Sequence, residues 1–287
     1  MGEIVGSAVV AHVPPLVMPE EMRRELNEGQ DFSIVEGLHR MRRECIDPLQ
    51  PDLILVLDTH WFTTFEWVVS AHERRTGKFT SEELPRTVPQ FPYDIPGDPE
   101  FARLVAEVAS ERDDTWITAN DDPYLPIRYA TVYLTPFLQR DEKWVSFSTC
   151  QTAEFADMVK AGEVLGEAIR RSDRRVVVIG SGALSHRFWP LSKLRLHEAA
   201  NPVHVFNDEH RAADQQVMAW MEEGNHAKIL ADYPNFKAFA PEGRFAHYVI
   251  QAVARGGDQW TTKGIPYSDY ENAAGTGQVH MWFPGAS

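Results

Sequence analysis

The chain has 287 residues, of which 43% are hydrophobic and 24% charged, with a formal net charge of −14. Such a composition belongs to a globular protein with a sizeable core, and the acidity argues against nucleic acid or an anionic membrane surface as a partner. Two cysteines, Cys45 and Cys150, exclude a disulfide framework and fit a reducing cytoplasm, with room for at most one bridge.

Residues 3–12, EIVGSAVVAH, form an apolar run that closes on His12. With an early Glu and no basic segment, this N-terminus is expected to be a first strand and not a signal peptide. The proline-punctuated stretch that follows reads as a loop with a little helix. Residues 34–46 place Ile34, Leu38, Met41 and Ile46 at near-helical spacing. DLILVLDTH is a second buried strand closing on His60, and Phe65 to Ala71 reads as another. Residues 74–99, rich in Pro, Gly and Thr, predict a long irregular segment, a lid, pocket wall or oligomer contact. Asp98 and Pro99 are a strong helix start. KWVSFSTC is a strand, EFADMVKAGEVLGEAIRRS an amphipathic helix, and RRVVVIGSGALSH a strand running on to His186. Helices are expected at about 208–223 and 226–233 and from Glu242 to Gly256, and TGQVHMWF reads as a last strand. No run approaches the roughly 18 apolar residues of a membrane span. The alternation predicts an α/β fold, a single domain over 1–287 with a largely parallel or mixed sheet flanked by helices.

Ligands of such sheets bind beyond the carboxyl ends of the strands. Histidines at three strand ends would gather imidazoles around one crevice, a candidate metal or acid/base site. Asp58, two residues before His60, is a rival ligand, an orienting partner for His60 or a structural cap. Glu242 reads equally as a ligand or as a glutamate favoured by a helix N-terminus. Trp61 and Phe62 are either an aromatic pocket wall or core.

The motifs A-H-V-P-P at 11–15, D-T-H-W at 58–61, S-G-A-L-S-H-R-F at 181–188 and P-E-G at 241–243 together resemble the class III extradiol ring-cleavage dioxygenases, the superfamily of the protocatechuate 4,5-dioxygenase catalytic subunit. S-E-E-L-P at 81–85 and G-T-G-Q-V at 275–279 bring the likeness closest to the homoprotocatechuate (3,4-dihydroxyphenylacetate) 2,3-dioxygenase branch. The resemblance implies one non-haem Fe(II) held by His12, His60 and Glu242, with His186 as an acid/base group that does not ligate. Where other branches carry Asp-His-Gly, this chain has D-P-Y-L-P-I-R-Y-A-T-V. Tyr129 falls at that position as a candidate hydrogen-bond donor, and Arg128 is either a partner for a substrate carboxylate or structural. The implied activity is extradiol cleavage of a catechol-type ring with O2, most simply a 3,4-dihydroxyphenylacetate-like one, giving a muconic semialdehyde. Cleavage of a 2-aminophenol or hydroxypyridone, a zinc-dependent hydrolase and a non-catalytic binding protein are the alternatives. A small aromatic substrate, O2 and a homo-oligomer are the expected partners.

Overall fold

Along residues 53–57 Leu53, Leu55 and Leu57 alternate with Ile54 and Val56, and all five are buried. Alternate side chains of a strand point to opposite faces, so this segment needs cover on both sides. The computed structural model, which describes residues 1–285, supplies that cover. The strands are β1 (Glu3–Val10), β2 (Leu53–Thr63), β3 (Trp67–Ser70), β4 (Arg74–Phe79), β5 (Phe91–Pro96), β6 (Ile117–Asn120), β7 (Lys143–Cys150), β8 (Arg175–Ser181), β9 (Ile265–Pro266), β10 (Glu271–Ala273), β11 (Thr276–Gln278) and β12 (Met281–Pro284). The helices are α1 (Glu20–Leu26), α2 (Ser33–Met41), α3 (Pro99–Ser110), α4 (Tyr129–Val132), α5 (Thr135–Leu138), α6 (Phe155–Arg171), α7 (Leu191–Leu194), α8 (Asp208–Glu223), α9 (His226–Phe236) and α10 (Ala246–Ala254).

The main sheet has the order β6-β3-β7-β2-β8-β1-β12-β9. Its centre, β7-β2-β8-β1, is parallel, while β12 joins β1 and β3 joins β7 antiparallel. This is a mixed α/β sheet. Helices α3, α6 and α10 bury Phe101, Leu165 and Ile250 against the leucine face of β2. Helices α2 and α5 bury Leu38 and Phe137 against the face of Ile54 and Val56. Each such side chain contributes roughly 1.5–3 kcal/mol on leaving water. Because β1, β2 and β8 are parallel neighbours, their carboxyl ends open onto one edge.

Several expectations change. Residues 74–99 are not irregular: β4 and β5 pair as an antiparallel hairpin from Arg74↔Pro96 to Phe79↔Phe91. The antiparallel pairing satisfies the backbone there and leaves residues 80–90 as the loop at the tip. Strand β6 had no clear alternating pattern, being only four residues long. The strand expected to reach His186 stops at Ser181. TGQVHMWF splits into β11, paired with β10, and β12 in the main sheet. Helix α2 ends at Met41 and continues as a π-helical turn, Arg42–Ile46. The helix start at Asp98 holds, with its carboxylate accepting from Phe101 N at 3.0 Å. Cys45 and Cys150 are both free thiols. Among the described residues no helix is long and apolar enough to cross a membrane.

Candidate metal centre and active-site cavity

His12 lies two residues past the end of β1. His60 is carried by an irregularity in β2: against β7, Leu57 pairs with Phe147 and Phe62 with Thr149, so five steps on one strand oppose two on the other. A bulge of this kind re-aims side chains out of the sheet. Asp58 stabilises it, accepting from the backbone N–H of His60 and of Trp61, both at 2.9 Å, and from Thr131 Oγ1 at 2.7 Å. Asp58 is therefore a structural cap on the bulge, as one of its readings held.

Glu242 reaches the same place by a different route. Glu242 N donates to the Leu184 carbonyl, His186 N donates to the Ala240 carbonyl, and Ser185 bridges Pro241. The segment after β8 is thus zipped to the segment bearing Glu242. The chain then turns sharply, with Gly243, Arg244 and Phe245 at φ 53°, 59° and 66°, and α10 begins only at Ala246. Such left-handed residues are costly outside glycine. Glu242 is consequently not in the first turn of a helix, and the macrodipole reading of this residue fails. A Cβ on Gly243 would meet Thr59 Cγ2 at 2.8 Å, so glycine is needed there on two counts.

Glu242 Oε1 stands 3.1 Å from His12 Nε2 and 2.9 Å from His60 Nε2, and the three donor atoms lie within 4.8 Å of one another. His12 Nδ1 is 3.0 Å from Ser181 Oγ, and Ser181 gives its own hydroxyl proton to the Ala130 carbonyl at 2.7 Å. Ser181 Oγ can then only accept from His12, which assigns the proton to Nδ1. His12 Nε2 is left with a bare lone pair facing a carboxylate oxygen, and His12 and Glu242 are only 4% and 5% exposed. Two buried acceptors face to face are unfavourable unless a cation lies between them. Two donors held about 2.1 Å from one ion at a right angle stand about 3 Å apart. Two imidazoles and a carboxylate at these separations fit a divalent transition metal.

The surroundings support that charge distribution. Glu242 Oε2 accepts from Ala183 N at 2.6 Å, and Thr59 Oγ1 donates to Oε1 at 2.8 Å. Burial opposes its charge, but the imidazoles of His12, His186 and His60 around it hold its carboxyl well below the usual range. Burial pushes the His186 imidazole down against the opposing charge of Glu242, so it rests neutral. His186 Nε2 is 4.0 Å from Glu242 Oε2 and is not within hydrogen-bond distance of it. Tyr129 Oη lies 2.6 Å from His60 Nε2 and donates to Glu83 Oε2 at 3.1 Å. Burial, together with Glu83 and Glu242, pushes this phenol far up, so it stays protonated.

These residues form the floor of a cavity of about 390 Å³. Its walls are largely apolar, with Pro15, Met18, Phe32, Leu84, Phe188 and Leu194 among them. Thr276 and Gln278 also line it. Trp61 is core and Phe62 is 48% exposed; neither lines the cavity, where Phe32 and Phe188 supply the aromatic surface. Arg128 is absent from the lining, its guanidinium held by Glu82 Oε1 at 3.1 Å. Sequence reasoning missed Thr59, Ser181, Glu83 and Asp214. Asp214, buried in α8, accepts from Ser185 N and Oγ at 2.8 and 2.7 Å and so holds the loop that carries His186. Burial lifts its carboxyl to about 6. Thr59 and Ser181 sit inside the D-T-H-W and S-G-A-L-S-H motifs, a signal that marked the segments but not these side chains.

Replacing Ser181 by Ala removes the acceptor that orients His12. Metal affinity is expected to fall roughly 10- to 100-fold, as for other partners of ligating histidines, measured by competitive titration with a chromophoric chelator. Unchanged affinity would show that Ser181 has no part in presenting Nε2.

A mixed α/β sheet with two imidazoles, a carboxylate and a free histidine at its carboxyl edge defines the class as a candidate metal-dependent enzyme with an apolar pocket. The chain belongs to the family of the catalytic LigB subunit of aromatic ring-opening dioxygenase, which it matches over residues 6–284. It is therefore an extradiol-type ring-opening dioxygenase. It is 28% identical over 267 residues to 3,4-dihydroxyphenylacetate 2,3-dioxygenase of Escherichia coli, covering 92% of this chain and 94% of that protein. It is 24% identical over 257 residues to the 2-aminophenol 1,6-dioxygenase beta subunit of a Pseudomonas species, covering 83% and 81%. The crystal structure of an uncharacterized protein from Escherichia coli K12 shares the fold, with a TM-score of 0.58, 16% identity and coverage of 97% and 99%.

Proposed function

We propose that residues 1–287 act as one catalytic domain that cleaves a catechol-type ring next to its hydroxyl pair, with Fe(II) held by His12, His60 and Glu242. The substrate is 3,4-dihydroxyphenylacetate-like in its ortho hydroxyls and single tail, and the product is a muconic semialdehyde carrying both atoms of O2. The observation that carries this reading is the bare lone pair of His12 Nε2 opposite Glu242 Oε1 in a buried site. Fe(II) there supplies chelation of the two ring oxygens and a route for electrons from ring to O2.

The chain's own residues do the rest. His186, neutral at rest and outside the ligand set, takes a proton from a ring hydroxyl and returns it later as an acid. Tyr129, permanently protonated, offers its O–H to an oxygen of the substrate in place of Glu83. Phe32, Met18 and Phe188 hold the ring's faces and keep water away. Two free thiols fit a reducing cytoplasm as the working compartment. A second reading, cleavage of a 2-aminophenol by the same site, is favoured by the name of the Pseudomonas relative.

The test is oxygen uptake by protein loaded anaerobically with Fe(II), or with Zn(II) in parallel, against catechols and 2-aminophenol. One O2 consumed per ring with a yellow product, only in the iron form, is the expected result. Absence of uptake with every ring at full iron occupancy would rule the reading out, and hydrolase activity in the zinc form would replace it.

A further inference from the structure

The charges around the cavity bear on which ring tail it accepts, an inference that rests on the ring-cleavage reading above. Among the described residues no lysine or arginine lines the cavity, whereas three carboxylates do: Glu83, Glu198 and Glu242. Glu242 faces the metal position. Glu198 is compensated, its Oε1 paired with Arg195 Nη1 at 3.0 Å. Glu83 has no ion pair among the described residues; its one partner is the neutral phenol of Tyr129. Two cations near the cavity are engaged elsewhere. Arg128 is held by Glu82, and Arg187 lies over the Phe206 ring at 4.2 Å.

Glu83 sits on the tip between β4 and β5, exposed to water yet only two hydrogen bonds from His60 Nε2. A ring anchored at the metal position by its oxygens must direct its substituent away from the floor, towards this mouth. A carboxylate tail would meet an uncompensated carboxylate there and no cation in the lining, which disfavours it. An alkyl stem suits the walls of Met18, Leu84 and Leu194, and an ammonium at its end suits Glu83.

We propose that the cavity prefers catechols with an ammonium-bearing or uncharged tail, that Glu83 reads the tail's charge, and that carboxylate-tailed catechols are the disfavoured class. In this respect the chain departs from its Escherichia coli relative, which is named for a carboxylate-bearing ring.

The experiment compares catechols bearing an ethylammonium, an ethyl and a carboxymethyl tail. Each is titrated calorimetrically into Fe(II)-loaded protein under nitrogen, after which oxygen is admitted and its uptake recorded. The ammonium ligand is expected to bind about tenfold more tightly than the carboxylate, with the ethyl compound between, and added salt compresses the spread. Glu83→Gln keeps an acceptor for Tyr129 but removes the charge, and is expected to bring the ammonium and ethyl affinities within about twofold of each other. The salt response of the wild-type protein tests the same point if that variant does not fold. Tighter binding of the carboxylate than of the ethyl compound, with oxygen consumed, would overturn the charge preference and leave ring cleavage standing. An unchanged ammonium-to-ethyl ratio in Glu83→Gln would remove Glu83 from the proposal. Failure of all three to bind or to consume oxygen would overturn both readings.

Discussion

Glu242→Ala is expected to release the metal, with affinity lowered at least about 1000-fold and ring cleavage lost with it. That loss exceeds the roughly 10- to 100-fold cost of losing a partner of a ligand, because here a donor atom and the only charge in the set disappear together. The fold should survive. The variant leaves Ala183 N without its acceptor, a cost of about 1–3 kcal/mol for that stranded donor, while Thr59 Oγ1 keeps the Ser181 carbonyl at 2.9 Å, and it also removes a buried charge from the metal-free protein. Metal content after dialysis and a thermal unfolding curve check both statements. A variant that retained one equivalent of iron would place the carboxylate ligand elsewhere. Acid acts in the same direction on the wild-type protein. The His60 imidazole is buried, which alone would lower it, yet the hydrogen bond and charge of Glu242 push it up on balance. Falling pH therefore protonates His60 early and competes with the metal for Nε2.

His186→Phe separates the two histidine roles. The metal is expected to stay, because His186 Nε2 lies 4.0 Å from the nearest Glu242 oxygen and outside the triad. Turnover is expected to fall about 10²- to 10⁴-fold, the usual contribution of a positioned acid/base group. Phe fills the volume, and its ring can keep the edge-on contact that His186 makes with Phe188 at 4.8 Å between centroids. Metal analysis and oxygen uptake on the same sample decide the matter. Loss of metal would make His186 a ligand, and full activity would remove it from the chemistry.

The motifs that carried the family resemblance all return to one place. A-H-V-P-P contributes His12, Val13, Pro14 and Pro15 to the cavity, S-E-E-L-P contributes Glu83 and Leu84, and G-T-G-Q-V contributes Thr276 and Gln278. These segments are 60 or more residues apart in the chain, yet each lies at the carboxyl edge of the sheet or on a loop folded over it. For single residues that the sequence left between two roles, the structure favours the structural one for Arg128 and Trp61. Arg128, open between a carboxylate partner and a structural role, is held by Glu82. Trp61 and Phe62 follow His60, yet on the bulged strand neither reaches the cavity.

Periodicity and composition by themselves determined the α/β class, the buried strands β1, β2, β7 and β8, and the helices α3, α6 and α8. These are local consequences of where apolar side chains recur. His12 was legible for the same reason, since it follows the end of the apolar run of β1, whereas the strand expected to close on His60 runs on to Thr63 and carries His60 on a bulge. Only the tertiary structure decided the rest. Glu242 comes to the histidines through backbone bonds to Leu184 and His186, between segments more than 50 residues apart. The Nδ1–H of His12 depends on Ser181 and on Ala130 of the distant α4. The charge of the cavity mouth depends on which of many acidic and basic side chains pair with one another. Such contacts join positions that no local pattern links, because hydrogen bonds and ion pairs are set by distance in space and leave no period in the chain.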